Sequence, residues 1–392
     1  MGVIAAILGL VVLVLIHEAG HFYAARAVGM TPRKFYLGFG PPIVRRRRGL
    51  VEYGIGALPL GGYVKIPGMT RPSPGDLRRL LDPAAAQTYA ADLDGIDAAI
   101  ERDDFEQARR LLERLHPALA DVPGFSEFEW SLADDAYWRQ KTWKRLVAIG
   151  AGPAVNLAFA IVLFTGIFLV ATSHATTVVG RVKTDSPAAH AGIEAGDRIL
   201  WIAGRPVDGN DVAASIRATR GRPFRLQVDR AGRRVTIGPL RARETDGAYR
   251  IGIAIEARTG PGESVPAAAR DSVRLTGDVI WQTVRGLGHI ATGRDTNQVS
   301  SSVGIVRVSA QAWRDGARDF LFVLGLISLA LGVLNLLPVL PLDGGHIVMA
   351  LLEKIRGRTF RQSAYMRYSV VGLSLFAVLM YLGLRNDLFG GS

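Results

Sequence analysis

The sequence has 392 residues, of which 49% are hydrophobic and 21% are charged, and its formal net charge is +12. This composition is more apolar and less charged than that of an ordinary soluble chain, which argues against a wholly soluble or disordered protein. There is no cysteine, so disulfides, thiolate metal ligands and cysteine nucleophiles are excluded. The apolar residues come in long blocks and no Walker-type phosphate loop is present. The basic charge therefore favours a lipid bilayer as partner, and no nucleic acid.

Four blocks predict transmembrane helices, because about 20 mainly apolar residues span the hydrocarbon core. They are Val3–Val28, Leu146–Val170, Phe320–Leu342 and Val370–Leu384. Arg and Lys are concentrated in the connections after the first and third blocks, which the positive-inside rule places in the cytoplasm. Both termini and the stretch from Ala171 to Asp319 are then outside. A secretory signal peptide is the alternative for the first block, but no positive region precedes its apolar run.

The first block contains the sequence His17-Glu18-Ala19-Gly20-His21. Residues four apart share one helix face, so both imidazoles can bind one Zn²⁺ ion while Glu18 accepts a proton from the attacking water. Titratable groups inside a membrane helix are costly and by default mark function. Their place in the helix puts the metal below the middle of the bilayer, toward the cytoplasm. The alternative is a pair of buried histidines satisfied by neighbouring helices.

Two histidines leave a zinc site short of a third protein ligand. Asp343 is the outstanding candidate, because it follows the run NLLPVLPL and precedes two glycines. The prolines break the helix and the glycines allow close packing, so the carboxylate can turn toward a neighbouring helix. Two alternatives stay open, namely Asp343 in interfacial water and His346 as a competing ligand.

Two further regions separate the membrane blocks. Arg71–Asp135 is acidic and rich in alanine, and an amphipathic helix is predicted across Asp103–Leu115. We interpret it as a cytoplasmic insertion that binds a regulator, steadies the helix bundle or is a small decoration. Val178–Glu256 alternates short β-rich runs with turns and indicates a strand at Arg198–Ile202, and Thr259–Thr296 predicts an amphipathic helix on the outer membrane surface.

The motifs HEAGH and NLLPVLPLDGGH, on membrane helices that flank an extracytoplasmic region, resemble those of the site-2 protease family of intramembrane zinc metalloproteases, in its RseP-like group. Gly152-Pro153-Ala154-Val155-Asn156 resembles another family motif, and Gly54–Lys65 is similar to the family's β-hairpin beside the active site. The resemblance implies that His17, His21 and Asp343 are zinc ligands and that Glu18 is the general base. It implies that Asn335 is a catalytic group that positions the substrate backbone or the intermediate. It also implies a set of substrate contacts, namely Gly54, Gly56, Gly61, Asn156 and Asn335. The proline spacing before Asp343 and the sequence Ser301-Ser302-Val303-Gly304-Ile305 depart from the family pattern without touching a ligand.

Val178–Glu256 resembles a bacterial PDZ domain, in which a short helix opens at Ser186-Pro187 and a longer helix, Asp211–Thr219, lies beside a peptide groove. The resemblance implies a peptide or protein partner that adds a strand to a sheet edge. The alternative is a size filter that binds no specific peptide.

The expected fold is a polytopic α-helical membrane protein with about four transmembrane helices, a membrane-associated β-hairpin region and an inserted α+β PDZ-like domain. The expected domains are residues 1–70 with the first transmembrane helix and the β region, 71–140 with the acidic insertion, 141–172 with the second transmembrane helix, 173–258 with the PDZ-like domain, 259–318 with the amphipathic region, and 319–392 with the last two transmembrane helices.

The expected function is regulated intramembrane proteolysis of single-pass membrane proteins by a Zn²⁺ enzyme of the bacterial inner membrane. The active site is expected toward the cytoplasmic side, and the family suggests an anti-sigma factor or a signal-peptide remnant as substrate. A non-catalytic membrane adaptor that uses the PDZ-like domain is the alternative. A metalloprotease that cuts outside the bilayer agrees less well with the depth of HEAGH.

Overall fold

The computed structural model describes residues 1–209, 211–245, 248–291 and 302–389. The chain divides into two compact units, one of Met1–Leu163 with Val273–Ser392 and one of Phe164–Ser272. The helices are α1 (Gly2–Ala27), α2 (Pro83–Thr88), α3 (Ala90–Glu101), α4 (Phe105–Leu119), α5 (Phe125–Ser131), α6 (Thr142–Val170), α7 (Pro187–His190), α8 (Asp211–Ala218), α9 (Val265–Ala291), α10 (Ser302–Asp315), α11 (Ala317–Asn335), α12 (Asp343–Arg356) and α13 (Gln362–Phe389). The strands are β1 (Lys34–Arg48), β2 (Val51–Lys65), β3 (Ala171–Val182), β4 (Arg198–Ile202), β5 (Arg205–Pro206), β6 (Phe224–Arg230), β7 (Arg233–Leu240), β8 (Arg243–Thr245), β9 (Ala248–Arg250) and β10 (Ile253–Pro261).

Within the residues that the structure describes, three helices, α1, α6 and α11, are long and apolar enough to cross a membrane. They correspond to the first three expected blocks, so the mixture of membrane helices with a β-rich region agrees with the expected fold class. The fourth block, Val370–Leu384, lies within α13, which is not among the three. The count of four transmembrane helices stays a proposal.

The third membrane helix is shorter than the sequence indicates. We expected one helix over Phe320–Leu342, but α11 ends at Asn335 and α12 begins at Asp343. Pro338 and Pro341 lie between the two helices and lack the backbone N–H that a continuing helix needs. Asp343 therefore belongs to the first turn of a new helix.

The acidic stretch between α1 and α6 folds into helices with a core of their own, and we call residues 71–135 the helical insertion. Its helix α4, Phe105–Leu119, agrees with the expected helix apart from its ends. The carboxylates of Asp82 and Asp104 accept backbone N–H groups at the starts of α2 and α4. The buried side chains of the core include Leu77, Leu93, Ile96, Phe105, Leu112, Phe125 and Leu132.

Strands β1 and β2 are long and form a small folded sheet. Residues 34–37 pair with 52–55 on one side and with 62–65 on the other, so that Tyr36 lies opposite both Gly54 and Tyr63. Residues 44–48 return along 51–55 and complete a hairpin. Among the described residues, 62–65 has no second strand partner, and we call these four residues the edge strand.

The unit Phe164–Ser272 contains a sheet in the order β10-β3-β4-β6-β7, with β5 paired to β4 and a separate pair of β8 and β9. Alternate residues of β6, Phe224, Leu226 and Val228, are buried in its core, as the period of a strand requires. The helix after Ser186 and the strand Arg198–Ile202 lie where the sequence indicates them. Its assignment as a PDZ domain stays a proposal.

Candidate metal centre and active site

The two histidines of the first membrane helix face each other at short range. His17 and His21 are both buried, and their Nε2 atoms are 3.1 Å apart. The arrangement follows from the helix itself, because residues i and i+4 lie one turn apart on the same face. Both ring nitrogens therefore point at one site beside α1.

Asp343 completes this site from the first turn of α12. Its Oδ2 atom lies 3.2 Å from Nε2 of His17 and 3.3 Å from Nε2 of His21. The next two residues permit the close approach, since a Cβ on Gly344 would lie 2.3 Å from the carbonyl oxygen of Leu336. The conformation that follows the prolines thus brings a carboxylate to the histidine pair.

The three side chains agree with the geometry of a zinc site. Ligands placed tetrahedrally at about 2.0–2.1 Å from Zn²⁺ are about 3.3 Å from one another, which is close to the three separations between these side chains. Oδ2 of Asp343 is buried and has no hydrogen bond of acceptable angle among the described residues. Within those residues, His17, His21 and Asp343 are the one group of three or more histidine and acidic side chains positioned to hold a metal ion.

Helix α6 holds both imidazoles from behind. Nδ1 of His21 lies 2.9 Å from the carbonyl oxygen of Ala148, which fixes Nδ1 as the donor and leaves Nε2 with its lone pair toward the metal site. On the other ring, Nδ1 of His17 lies 3.4 Å from Nδ2 of Asn156. Gly152 permits the contact of α6 with α1, because a Cβ there would be 2.3 Å from Nε2 of His21.

Comparison with known proteins agrees with this geometry. The sequence model described as "Peptidase family M50" matches residues 5–379. The chain belongs to peptidase family M50, the site-2 protease family. It is 28% identical to the zinc metalloprotease RasP of Bacillus licheniformis over 98% of both chains. It is also 29% identical to the zinc metalloproteases Rip1 of Mycolicibacterium smegmatis and of Mycobacterium tuberculosis, over 91% of this chain and 86% of each relative.

Membership of family M50 confirms the resemblance inferred from the sequence. The chain is a metalloprotease with apolar helices suited to a membrane, and Zn²⁺ is its expected metal. The roles of the individual residues stay proposals that rest on the geometry of the site.

The M50 site opens into a cavity of about 880 Å³ that Glu18, Asn335, Asp343 and His346 help to line. The edge strand reaches the same cavity, and a Cβ on Gly62 would lie 3.2 Å from Cγ of Glu18. The carboxylate of the HEAGH motif and an extended, singly paired backbone are thus neighbours. His346 lines the cavity but is not in the group that can hold the metal, so the structure places it apart from the ligand set.

The residues expected to contact substrate divide into two groups. Gly61 lines the cavity at the start of the edge strand, as does Asn335 at the end of α11. Gly54 and Gly56 do not line it, because Gly54 packs against the ring of Tyr36 and Gly56 against the backbone of β1.

Asn156, also expected to contact substrate, has different surroundings from Gly61 and Asn335. Its side chain is fully buried and its amide contacts His17, so it lies behind the imidazole and does not reach the cavity. This placement suits orientation of His17 better than contact with substrate.

Sequence reasoning missed a buried ion pair between two elements of the site. Nη2 of Arg145 in α6 lies 2.6 Å from Oε2 of Glu353 in α12, and both side chains are at most 5% exposed. In the sequence, Arg145 is one of a cluster of basic residues with Lys141 and Lys144 before the second apolar block, and nothing there indicates its partner. Glu353 was the available signal, since an acidic residue within an otherwise apolar helix face calls for a partner.

Proposed function

We propose that this chain is an intramembrane protease that cleaves the transmembrane segments of single-pass membrane proteins. One observation carries the proposal: His17, His21 and Asp343 converge on a single point beside Glu18, and the first two lie within an apolar helix long enough to cross a bilayer. A peptide bond must therefore reach that helix to be cut.

In the proposed reaction, His17, His21 and Asp343 hold the metal. A bound Zn²⁺ ion supplies a Lewis acid that polarises the scissile carbonyl and activates water at neutral pH. Glu18 accepts the proton of the attacking water and donates it to the leaving amine. Asn335, on the cavity wall, donates a hydrogen bond from its amide to the substrate backbone or to the developing oxyanion.

The edge strand supplies the proposed means of holding substrate. Peptide bonds in a transmembrane helix are hydrogen-bonded within the helix, so the segment must unwind before a protease can reach them. An unwound segment that pairs with residues 62–65 recovers its backbone hydrogen bonds by strand addition. Since Gly62 packs on Glu18, such a strand lies directly beside the general base.

We further propose that the enzyme is a multi-pass protein of the bacterial inner membrane with its active site toward the cytoplasm. The arginine run Arg45–Arg48 and the basic connection between α12 and α13 support this orientation. The unit Phe164–Ser272 is then extracytoplasmic and binds a peptide or protein through a PDZ-like groove. An anti-sigma factor and a signal-peptide remnant are the two substrate classes proposed.

The test compares the parent with Glu18→Gln and Asp343→Asn on a panel of tagged single-span substrates, with zinc measured on each purified protein. We expect the parent to cleave, Glu18→Gln to retain zinc without cleaving, and Asp343→Asn to lose zinc. Full cleavage by Glu18→Gln would remove Glu18 from its assigned role. Equal partner binding by all three proteins, with no metal in any, would instead favour the adaptor function.

A further inference from the structure

The helical insertion is fixed to the sheet of β1 and β2, at the start of β1 and the end of β2, by several independent contacts. The guanidinium of Arg33 forms an ion pair with Asp135, at 2.7 Å from Nη2 to Oδ1, and Lys65 forms another with Glu127. The backbone N–H of Tyr137, just beyond the insertion, donates to the carbonyl of Pro67 at 2.8 Å. The insertion therefore has a defined position next to the end of β2.

This position makes the insertion one wall of the catalytic cavity. The cavity that contains Glu18 and Asp343 is also lined by Leu80, Phe128 and Trp130 of the insertion. These three side chains come from different parts of the insertion and meet only because its helices pack around one core. A small helical domain attached to the outside of the helix bundle would not reach the cavity that contains Glu18 and Asp343.

The insertion contributes both apolar and polar side chains to the cavity: the apolar ones are Leu80, Phe128 and Trp130, and the polar ones are Asp76, Glu127 and Ser131. Leu80 is 37% exposed and is not among the residues of the insertion's core. Phe39 of β1 lines the same cavity, is 47% exposed and stacks on the ring of Tyr63. Exposed apolar side chains that converge in a cavity are typical of ligand contacts, whereas scattered ones on a convex surface are ordinary.

We propose that the helical insertion is part of the substrate-binding site and that Leu80 and Trp130 contact apolar side chains of the unwound substrate segment. The inference rests on the proposed function, because its occupant is the segment held by the edge strand. The occupant follows from continuity: a chain that passes Glu18 along residues 62–65 runs through the cavity that these side chains line. A transmembrane segment supplies the apolar side chains that such a wall accommodates.

The absence of cysteine from the chain permits a direct test. In the Glu18→Gln background, Leu80→Cys is paired with single-cysteine variants along a single-span substrate, and disulfide formation is measured in membranes. Tyr63→Cys on the edge strand is the positive control. Arg110→Cys is the matched negative control, because Arg110 is an exposed residue of the insertion outside the cavity lining. We expect crosslinks from positions 80 and 63, and none from 110.

The outcomes distinguish a failure of this inference from a failure of the proposed function. Crosslinks from position 63 without any from 80 overturn the insertion's role and leave the proposed function in place. Equal crosslinking from 80 and 110 also overturns it, because the contact would then be unspecific. If the parent cleaves no substrate and neither 63 nor 80 crosslinks, the proposed function fails and this inference fails with it.

Kinetics supply a second readout that does not depend on trapping. Leu80→Ala is expected to raise KM about fivefold at nearly unchanged kcat, as is typical when binding is lost equally from ground and transition states. Arg110→Ala is expected to leave both constants unchanged. An unchanged KM for Leu80→Ala, in a variant with normal zinc content, contradicts the proposal.

Discussion

Gly152 lies so close to the metal site that its lack of a side chain matters to His21. A Cβ at this position would lie 2.3 Å from Nε2 of His21, far inside van der Waals contact. We expect Gly152→Ala to displace the imidazole and to lower the zinc content of the purified protein severalfold. Gly150→Ala is the matched control on the same helix, because a Cβ there meets nothing within 4 Å. Equal zinc content in the two variants would show that α6 does not constrain His21.

The HEAGH histidines and Asp343 could be proposed from the sequence because each has a local signature, the first in helical spacing and the second in a proline-flanked carboxylate. The position of Asn156 could not be predicted in the same way. Its amide lies behind His17 only because α6 packs on α1, and that contact joins residues far apart in the chain. Side chains that orient a ligand carry no local pattern of their own.

At the scale of elements, Arg145 and Glu353 connect α6 to α12, and α12 begins with Asp343. Glu353 also accepts a hydrogen bond from the backbone N–H of Phe360 at 2.7 Å, which ties the turn after α12 to the same pair. Removal of one partner leaves the other as a buried, unpaired charge.

We expect Arg145→Met to destabilise the protein by about 3–5 kcal/mol, the usual cost of breaking a buried ion pair from one side. The double variant Arg145→Met with Glu353→Met is expected to recover most of this loss, since no charge is then left unpaired. Thermal unfolding midpoints in detergent provide the measurement. A double variant no more stable than the single one would indicate that the pair contributes more than charge neutrality.

A second ion pair, between Asp197 and Arg230 in the unit Phe164–Ser272, predicts that the stability of this unit depends on pH. Burial raises the pKa of Asp197, but hydrogen bonds from the Arg230 guanidinium and the backbone N–H of Glu194 outweigh it, so that the pKa lies below its ordinary value. A carboxyl group with a lowered folded-state pKa contributes stability above its unfolded pKa of about 3.9, and this stability is lost as pH falls through the folded value.

We therefore expect Arg230→Gln to weaken this unit by about 2 kcal/mol at pH 7, as for a lost hydrogen bond to a charged group. The difference from the parent is expected to begin to shrink below about pH 4, the ordinary pKa of an aspartate, and to be lost as pH falls through the lower folded-state pKa of Asp197. Hydrogen exchange of β4 and β6 in the full chain provides the measurement, with the exposed Arg233→Gln as control. A difference between variant and parent that stays constant from pH 7 to pH 3 would contradict the charge-based explanation.

At the scale of the whole molecule, the proposed orientation in the membrane can be tested with single cysteines, since the chain has none. Two single-cysteine variants are used, Leu50→Cys and Arg205→Cys. Leu50 lies in the turn between β1 and β2, Arg205 lies in the unit Phe164–Ser272, and both residues are exposed. An impermeant thiol reagent applied to spheroplasts is expected to label position 205, and position 50 only after the membrane is opened. The reverse pattern would invert the topology.

The amino-acid sequence predicts the first three membrane blocks because hydropathy is summed over many residues and tolerates local error, whereas the fourth block stays a prediction. It overestimates the length of the third block, where Pro338 and Pro341 end the helix within an apolar run. It does not predict that the helical insertion lines the catalytic cavity. That placement depends on pairs such as Arg33 with Asp135, whose partners belong to separate elements and show no common periodicity.

The division of the proposed ligand set between α1 and α12 has a consequence for biosynthesis. The ribosome makes His17, Glu18 and His21 first, while Asp343 is added only after the insertion and the unit Phe164–Ser272 have been translated. A site with two of its three protein ligands binds metal weakly, because metal binding and assembly of the site are coupled. If the proposed ligand set is right, a nascent chain already inserted in the bilayer therefore has no complete metal centre, and it gains one only after residue 343 has been translated.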